Sequence, residues 1–259
     1  KMNSNINHWD VSNITEMGSM FYLATSFNQP LNNWDVSNVT VMYSLFQEAR
    51  SFNQPLNNWD VSNVTNMDNL FTNTPFNQPL NNWNTSKVTS MYAMFWASAF
   101  NQSINDWNVS NVESMRWMFR NNTAFNQPLD KWDVSKVTNM NQTFAGTTSF
   151  DQSLKDWDIS SVTTMNNFLF QSGLSTIHYD ETLIAWSTLP NLKQNLNPNF
   201  GSSKYCDGGI AKSNLETNYN WSIADSGKDC TNLPLRYNIP DVNFEQALID
   251  LGFDTNGVT

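Results

Sequence analysis

The chain has 259 residues and a formal charge of −10, with 23 Asp and Glu against 13 Lys and Arg; so acidic a surface repels phosphate backbones and argues against nucleic acid as a partner. No apolar run approaches the ~20 residues that span a bilayer. Hydrophobic residues make up only 39% of the chain, yet 11 Trp and 17 Phe supply a core that a merely polar, disordered chain would lack.

Internal repetition organises the first two thirds. Trp9, Trp34, Trp59, Trp83, Trp107, Trp132 and Trp157 are separated by 25, 25, 24, 24, 25 and 25 residues. The series Met17, Met42, Met67, Met91, Met115, Met140, Met165 keeps the same step, as does Phe27, Phe52, Phe76, Phe100, Phe125, Phe150. Seven units therefore run from about residue 2 to residue 170, a period that signals stacked repeats. The first unit opens with Met2-Asn3-Ser4-Asn5-Ile6 in place of Phe-Asn-Gln-Pro-Leu. With no capping element ahead of it, further repeats and a signal sequence are expected upstream.

Within a unit, Leu31, Trp34 and Val36 have the spacing of a short strand, with Trp34 and Val36 on one face and Asp35 on the other. Ser37 is then expected to cap a short helix whose apolar stripe is Val39, Met42, Leu45 and Phe46. Ser110 and Glu113 in the fifth unit have capping-box spacing. The expected architecture is an α/β, leucine-rich-repeat-like right-handed solenoid, one short parallel strand and one short helix per 24–25-residue repeat. A pure β-solenoid is the alternative. The unit F-N-Q-P-L-N-N-W-D-V-S-N-V-T-x-M over about residues 2–170 resembles the BspA-like leucine-rich-repeat family of bacterial surface proteins. That resemblance implies a secreted or cell-surface adhesin or interaction protein, of a kind often exported by the type IX route.

After Phe170 the period stops. His178–Trp186 reads as a helix, Gly209–Leu215 as a second with Tyr219 near its end, and Trp221 and Ile223 as a closing strand. Residues 171–231 form an expected α+β C-terminal cap, similar to the cap that follows such repeats in family members. Cys206 and Cys230, the only two cysteines, suggest one disulfide and an oxidising compartment, a reduced pair being the alternative. Residues 232–259 read as a linker and the start of a further repeat module, with a helix opening at Ile239-Pro240-Asp241 and an apolar face of Phe244, Leu248 and Leu251 ending near Gly252. Asp254-Thr255-Asn256-Gly257 has the opening of a calcium loop without its remaining ligands. No cofactor and no metal site are expected; calcium is the one weak candidate.

Two sets of residues are candidates for function. Asp10, Asp35, Asp60, Asn84, Asn108, Asp133 and Asp158 follow the tryptophans as a ladder. They either accept local hydrogen bonds from the following Ser or present a face to a cation or cationic partner. The second set marks where the pattern breaks, in units four and five. Tyr92 shares a unit position with Arg116, and Trp96 with Arg120, while Trp117 follows Arg116. Stacking would bring these to cation–π range, with residue types favoured at binding hot spots.

No nucleophile elbow, P-loop, H-E-x-x-H or glycine-rich dinucleotide motif occurs. His8 sits at a variable position, His178 opens a cap helix, and the Asn-x-Ser/Thr triplets recur only because the unit recurs. The expectation is a non-enzymatic extracellular module, at the cell surface or secreted, binding a protein or glycan on another cell or matrix. The alternative is a structural spacer or fibre subunit contacting other copies of itself. An enzyme would need acids converging in a cleft.

Overall fold

The computed structural model describes residues 3–231. The expected linker, repeat start and calcium-like segment of 232–259 lie outside the described residues. Up to Asp229 the described chain forms one compact unit.

The units stack in chain order. Parallel bridges link Glu16 to Val41, Val41 to Asn66, Asn66 to Ser90, Ser90 to Ser114, Ser114 to Asn139 and Asn139 to Thr164. The backbone pairs here, and not at the Leu31–Val36 segment expected as a strand. That segment is turned: the Trp34 N–H donates to the Leu31 carbonyl at 3.1 Å and the Val39 N–H to Val36 at 2.9 Å. The Leu31 carbonyl also accepts the Trp59 indole N–H of the next unit at 3.0 Å. Pro30 ahead of it has no N–H to give to a ladder.

The segment expected as a helix is a chain of turns. The N–H groups of Met42, Ser44, Phe46 and Glu48 donate to the carbonyls of Asn66, Asp68, Leu70 and Thr72 in the next unit, at 2.7–3.1 Å. The peptides between them close tight turns inside the unit, Leu45 to Met42 and Ala49 to Phe46. Ser44 and Glu48 are left-handed, with φ of 52° and 61°, and every later unit repeats this pair of positions. A left-handed residue every fourth position stops an α-helix from propagating. Ser37 accordingly bonds back to Asp35 through both its N–H and its hydroxyl, and Ser110 bonds Asn108 without forming a capping box.

A four-residue turn period still points Met42, Leu45, Phe46 and Ala49 inward, all fully buried. Successive phenylalanines form continuous columns: Phe46 lies 4.0 Å from Phe52 and 5.8 Å from Phe71, ring centre to ring centre. The tryptophans make a second column, Trp34 to Trp59 at 6.4 Å and nearly parallel. The recurrent Asn-Gln pair after each Phe is a third. The Asn28 Oδ1 accepts the Asn53 N–H at 3.0 Å and the Gln54 amide at 3.1 Å, and the same rung recurs up to Asn126.

The column ends on Asp151, whose carboxylate accepts the Ser175 N–H and bonds His178 Nδ1, each at 2.8 Å. Ser175 caps α1, Thr176–Ser187, a helix that takes the place of an eighth unit. Its Trp186 indole donates to the Leu154 carbonyl at 3.1 Å, as Trp157 does to Leu129 at 3.0 Å. The second helix, α2, spans Gly209–Tyr219. The N–H groups of Cys206, Asp207 and Gly208 ahead of it converge on the buried Asp180 carboxylate of α1. In place of an extended closing strand at Trp221–Ile223, single parallel bridges join Asn199 to Ala224 and Tyr205 to Lys228. Lys212 pairs with the buried Asp225 at 2.8 Å, and Tyr179 donates to the same carboxylate. Burial and the Asp225 charge together push the Tyr179 hydroxyl's pKa far above its ordinary value. Cys206 and Cys230 are disulfide-bonded, and no cysteine is free. Among the described residues no helix is long and apolar enough to cross a membrane.

Candidate binding face in units four and five

The turn chain sends its alternate side chains outward, and neighbouring units set them side by side. One outward column reads Gly18, Tyr43, Asp68, Tyr92, Arg116, Asn141, Asn166; a second position reads Tyr22, Gln47, Thr72, Trp96, Arg120, Ala145, Phe170, of which Thr72 and Ala145 are buried. Where the first column holds Asp68 or Asn141, the side chain reaches forward and accepts a backbone N–H of the next unit, that of Tyr92 or Asn166. Tyr92 and Arg116 have no such side-chain bond and turn to each other instead.

Trp117 is the centre of the resulting cluster. Its ring lies 5.4 Å from Tyr92 and 5.5 Å from Trp96. The Arg116 guanidinium sits 4.5 Å above it and the Arg120 guanidinium 4.9 Å. Arg116 also covers Tyr92 at 5.8 Å, and Arg120 covers Trp96 at 5.6 Å. The sequence-predicted residues Tyr92, Trp96, Arg116, Trp117 and Arg120 are thus brought together, each half-buried.

Three features set this cluster apart from a surface that only tiles the stack. Trp117 occupies a left-handed position, φ 62°, where other units place Ser, Asn, Ala or Gln; for a bulky residue that conformation costs about 1–2 kcal/mol. Neither arginine has a carboxylate within ion-pair distance among the described residues, whereas Arg50 is paired with Glu48 at 2.8 Å. Four buried side-chain polar atoms of the described residues lack a hydrogen-bond partner, and three are here: Trp96 Nε1, Arg116 Nε and Trp117 Nε1. An unsatisfied buried donor costs about 1–3 kcal/mol.

The Asp ladder is occupied differently. Asp10, Asp35, Asp60, Asp133 and Asp158 each accept the N–H of the Ser two residues on, and Asn84 and Asn108 do the same for Ser86 and Ser110, at 2.9–3.1 Å. Hydrogen bonds from that Ser, hydroxyl first and then backbone, hold the carboxyls of Asp10, Asp35, Asp60 and Asp133 below the ordinary carboxylate range. One oxygen of each is therefore committed to its own turn. No group of three or more His, Cys, Asp or Glu converges as a metal site among the described residues.

Sequence reasoning missed Asp151 and Asp180 as residues that join the repeats to the cap, and read His178 only as the opening of a cap helix, without its bond to Asp151. Asp151 was visible as the one rung where Phe-Asn-Gln becomes Phe-Asp-Gln. Asp180 carried no signal, because its three donors come from a loop 26–28 residues away.

A family model described as "Mycoplasma protein of unknown function, DUF285" matches residues 1–99 and again residues 72–181, two passes along the repeat array that overlap only at 72–99. No curated protein and no solved structure matches the chain.

Proposed function

Starting from a chain that belongs to the DUF285 family of repeat proteins, we propose that it is a non-enzymatic extracellular interaction module, a solenoid of stacked turn units that binds a protein or glycan partner through units four and five. The observation that carries this reading is the Tyr92–Trp96–Arg116–Trp117–Arg120 cluster, with its unpaired guanidinium groups and a tryptophan held in a strained backbone position. The disulfide supports an oxidising, extracellular setting. The likeness of the repeat to BspA-like surface proteins supports the cell surface and export by the type IX route. The local use of the Asp ladder, which leaves no converging acids, supports binding over catalysis. The test is a glycan and cell-surface-protein array probed with the wild-type chain and with Trp96→Ala/Trp117→Ala. Binding that disappears in a variant of unchanged fold is the expected result; equal binding by both forms would contradict the site.

A further inference from the structure

We infer that the ligand of units four and five is an acidic oligosaccharide, one whose sugar rings carry carboxylate or sulfate groups. This rests on the binding face proposed above and names its chemistry.

Charge comes first. Residues 76–124 hold Lys87, Arg116 and Arg120 against Asp106 and Glu113, a net positive stretch in a chain of net charge −10. Asp106 is already paired with Lys131 at 2.7 Å. These are also the two units whose ladder position is Asn84 and Asn108 in place of Asp. The negative field is thereby lowered where the arginines stand. A guanidinium with no internal carboxylate keeps its paired donors for an external one, and its planar fork matches carboxylate or sulfate oxygens two at a time. Arg116 has its Nε buried without a partner, while no nitrogen of the half-buried Arg120 is buried without one.

The aromatic part selects the rest of the ligand. Trp117, Trp96 and Tyr92 form a tilted, half-buried platform on the side of the stack. An extended peptide docking by strand addition needs free main-chain donors and acceptors. None are offered, because the N–H groups of Met91, Ala93, Phe95 and Ala97 all bond to carbonyls of unit five, and those of Met115, Trp117, Phe119 and Asn121 to carbonyls of unit six. Recognition falls to ring faces and guanidinium donors alone. Sugar rings present C–H faces to such a platform and hold their anionic groups at the ring edge, where the arginines lie.

The test is a fluorescence and calorimetric titration of the 259-residue chain with three probes. They are a sulfated, uronate-containing tetrasaccharide, its desulfated and carboxyl-reduced neutral counterpart, and a glutamate-rich peptide of matched charge. The expected result is binding of the acidic sugar only, with quenching of tryptophan emission and weakening as salt rises. Arg116→Gln/Arg120→Gln should weaken that binding by about tenfold or more, while Arg116→Lys/Arg120→Lys, which keeps charge and loses the fork, falls between. Unchanged thermal midpoints of both variants show that the fold is intact. Equal affinity for the neutral sugar, or for the peptide, would overturn the acidic-sugar assignment while leaving the interaction module standing. Acidic-sugar binding that survives Trp96→Ala/Trp117→Ala would overturn the site as well.

Discussion

At the scale of single residues, Trp117 decides most. Its left-handed backbone is a position that Asn69 and Asn167 fill in other units. Trp117→Asn exchanges lost ring contacts for relieved backbone strain of about 1–2 kcal/mol. The expected outcome is a thermal midpoint within a few degrees of wild type and a loss of partner binding, measured side by side. A large destabilisation would make the cluster structural. The ladder carboxylates give a second expectation. Because Asp10, Asp35, Asp60 and Asp133 have pKa values lowered by their Ser partners, their contribution to stability is present above the ordinary carboxylate pKa and is lost as pH falls through the lowered values. Stability should hold from neutrality to about pH 4 and decline below it. NMR titration should place these four carboxyls below exposed Asp residues. Asp35→Asn keeps the bond that Asn84 and Asn108 make but loses the charge, so it should lower stability slightly at pH 7 and remove its share of the decline at acid pH.

At the scale of elements, the junction between repeats and cap is the informative place. Trp186 of α1 donates to Leu154 as an eighth repeat tryptophan would. Trp186→Ala removes a fully buried indole and should cost about 3–5 kcal/mol in chemical denaturation. Reduction of the disulfide should destabilise the chain by roughly 3.5 kcal/mol in the loop-entropy description, seen as a lower midpoint in the presence of reductant. Asp151 ties α1 to the last rung. Burial pushes its carboxyl up, but bonds from Ser175 and His178 outweigh this and hold it below the usual value. It therefore joins the acid-sensitive groups and not a switch near neutrality. The two cap helices were legible, although the first begins at Thr176, capped by Ser175, two residues ahead of the expected His178. The repeat elements were not. A four-residue turn and a 3.6-residue helix bury the same Met42, Leu45 and Phe46, so spacing over ten residues cannot separate them. The deciding fact, a left-handed Ser44 and Glu48, lies in residues with no special preference for that conformation.

At the scale of the whole molecule, the period alone revealed how units one to seven stack and which columns of side chains meet. That is why Tyr92, Trp96, Arg116, Trp117 and Arg120 could be grouped from sequence although 28 residues separate the first from the last. What the period could not reveal was which peptide groups bridge the units, because every unit carries several candidate positions. Nearest-neighbour stacking also predicts an uneven response to mutation. Trp83→Ala, in the middle of the column, should cost about 3–5 kcal/mol, and Tyr43→Ala, on the exposed face of the second unit, far less.

The central claim, that units four and five form the binding face, is tested most directly by amide and indole NMR shifts of the labelled chain on adding the sulfated, uronate-containing tetrasaccharide. The account predicts that the largest changes fall on the Trp96 and Trp117 indoles and on backbone amides near Tyr92, Arg116 and Arg120. Shifts confined to the first unit around Trp9, to the Asp ladder, or to the cap would contradict it.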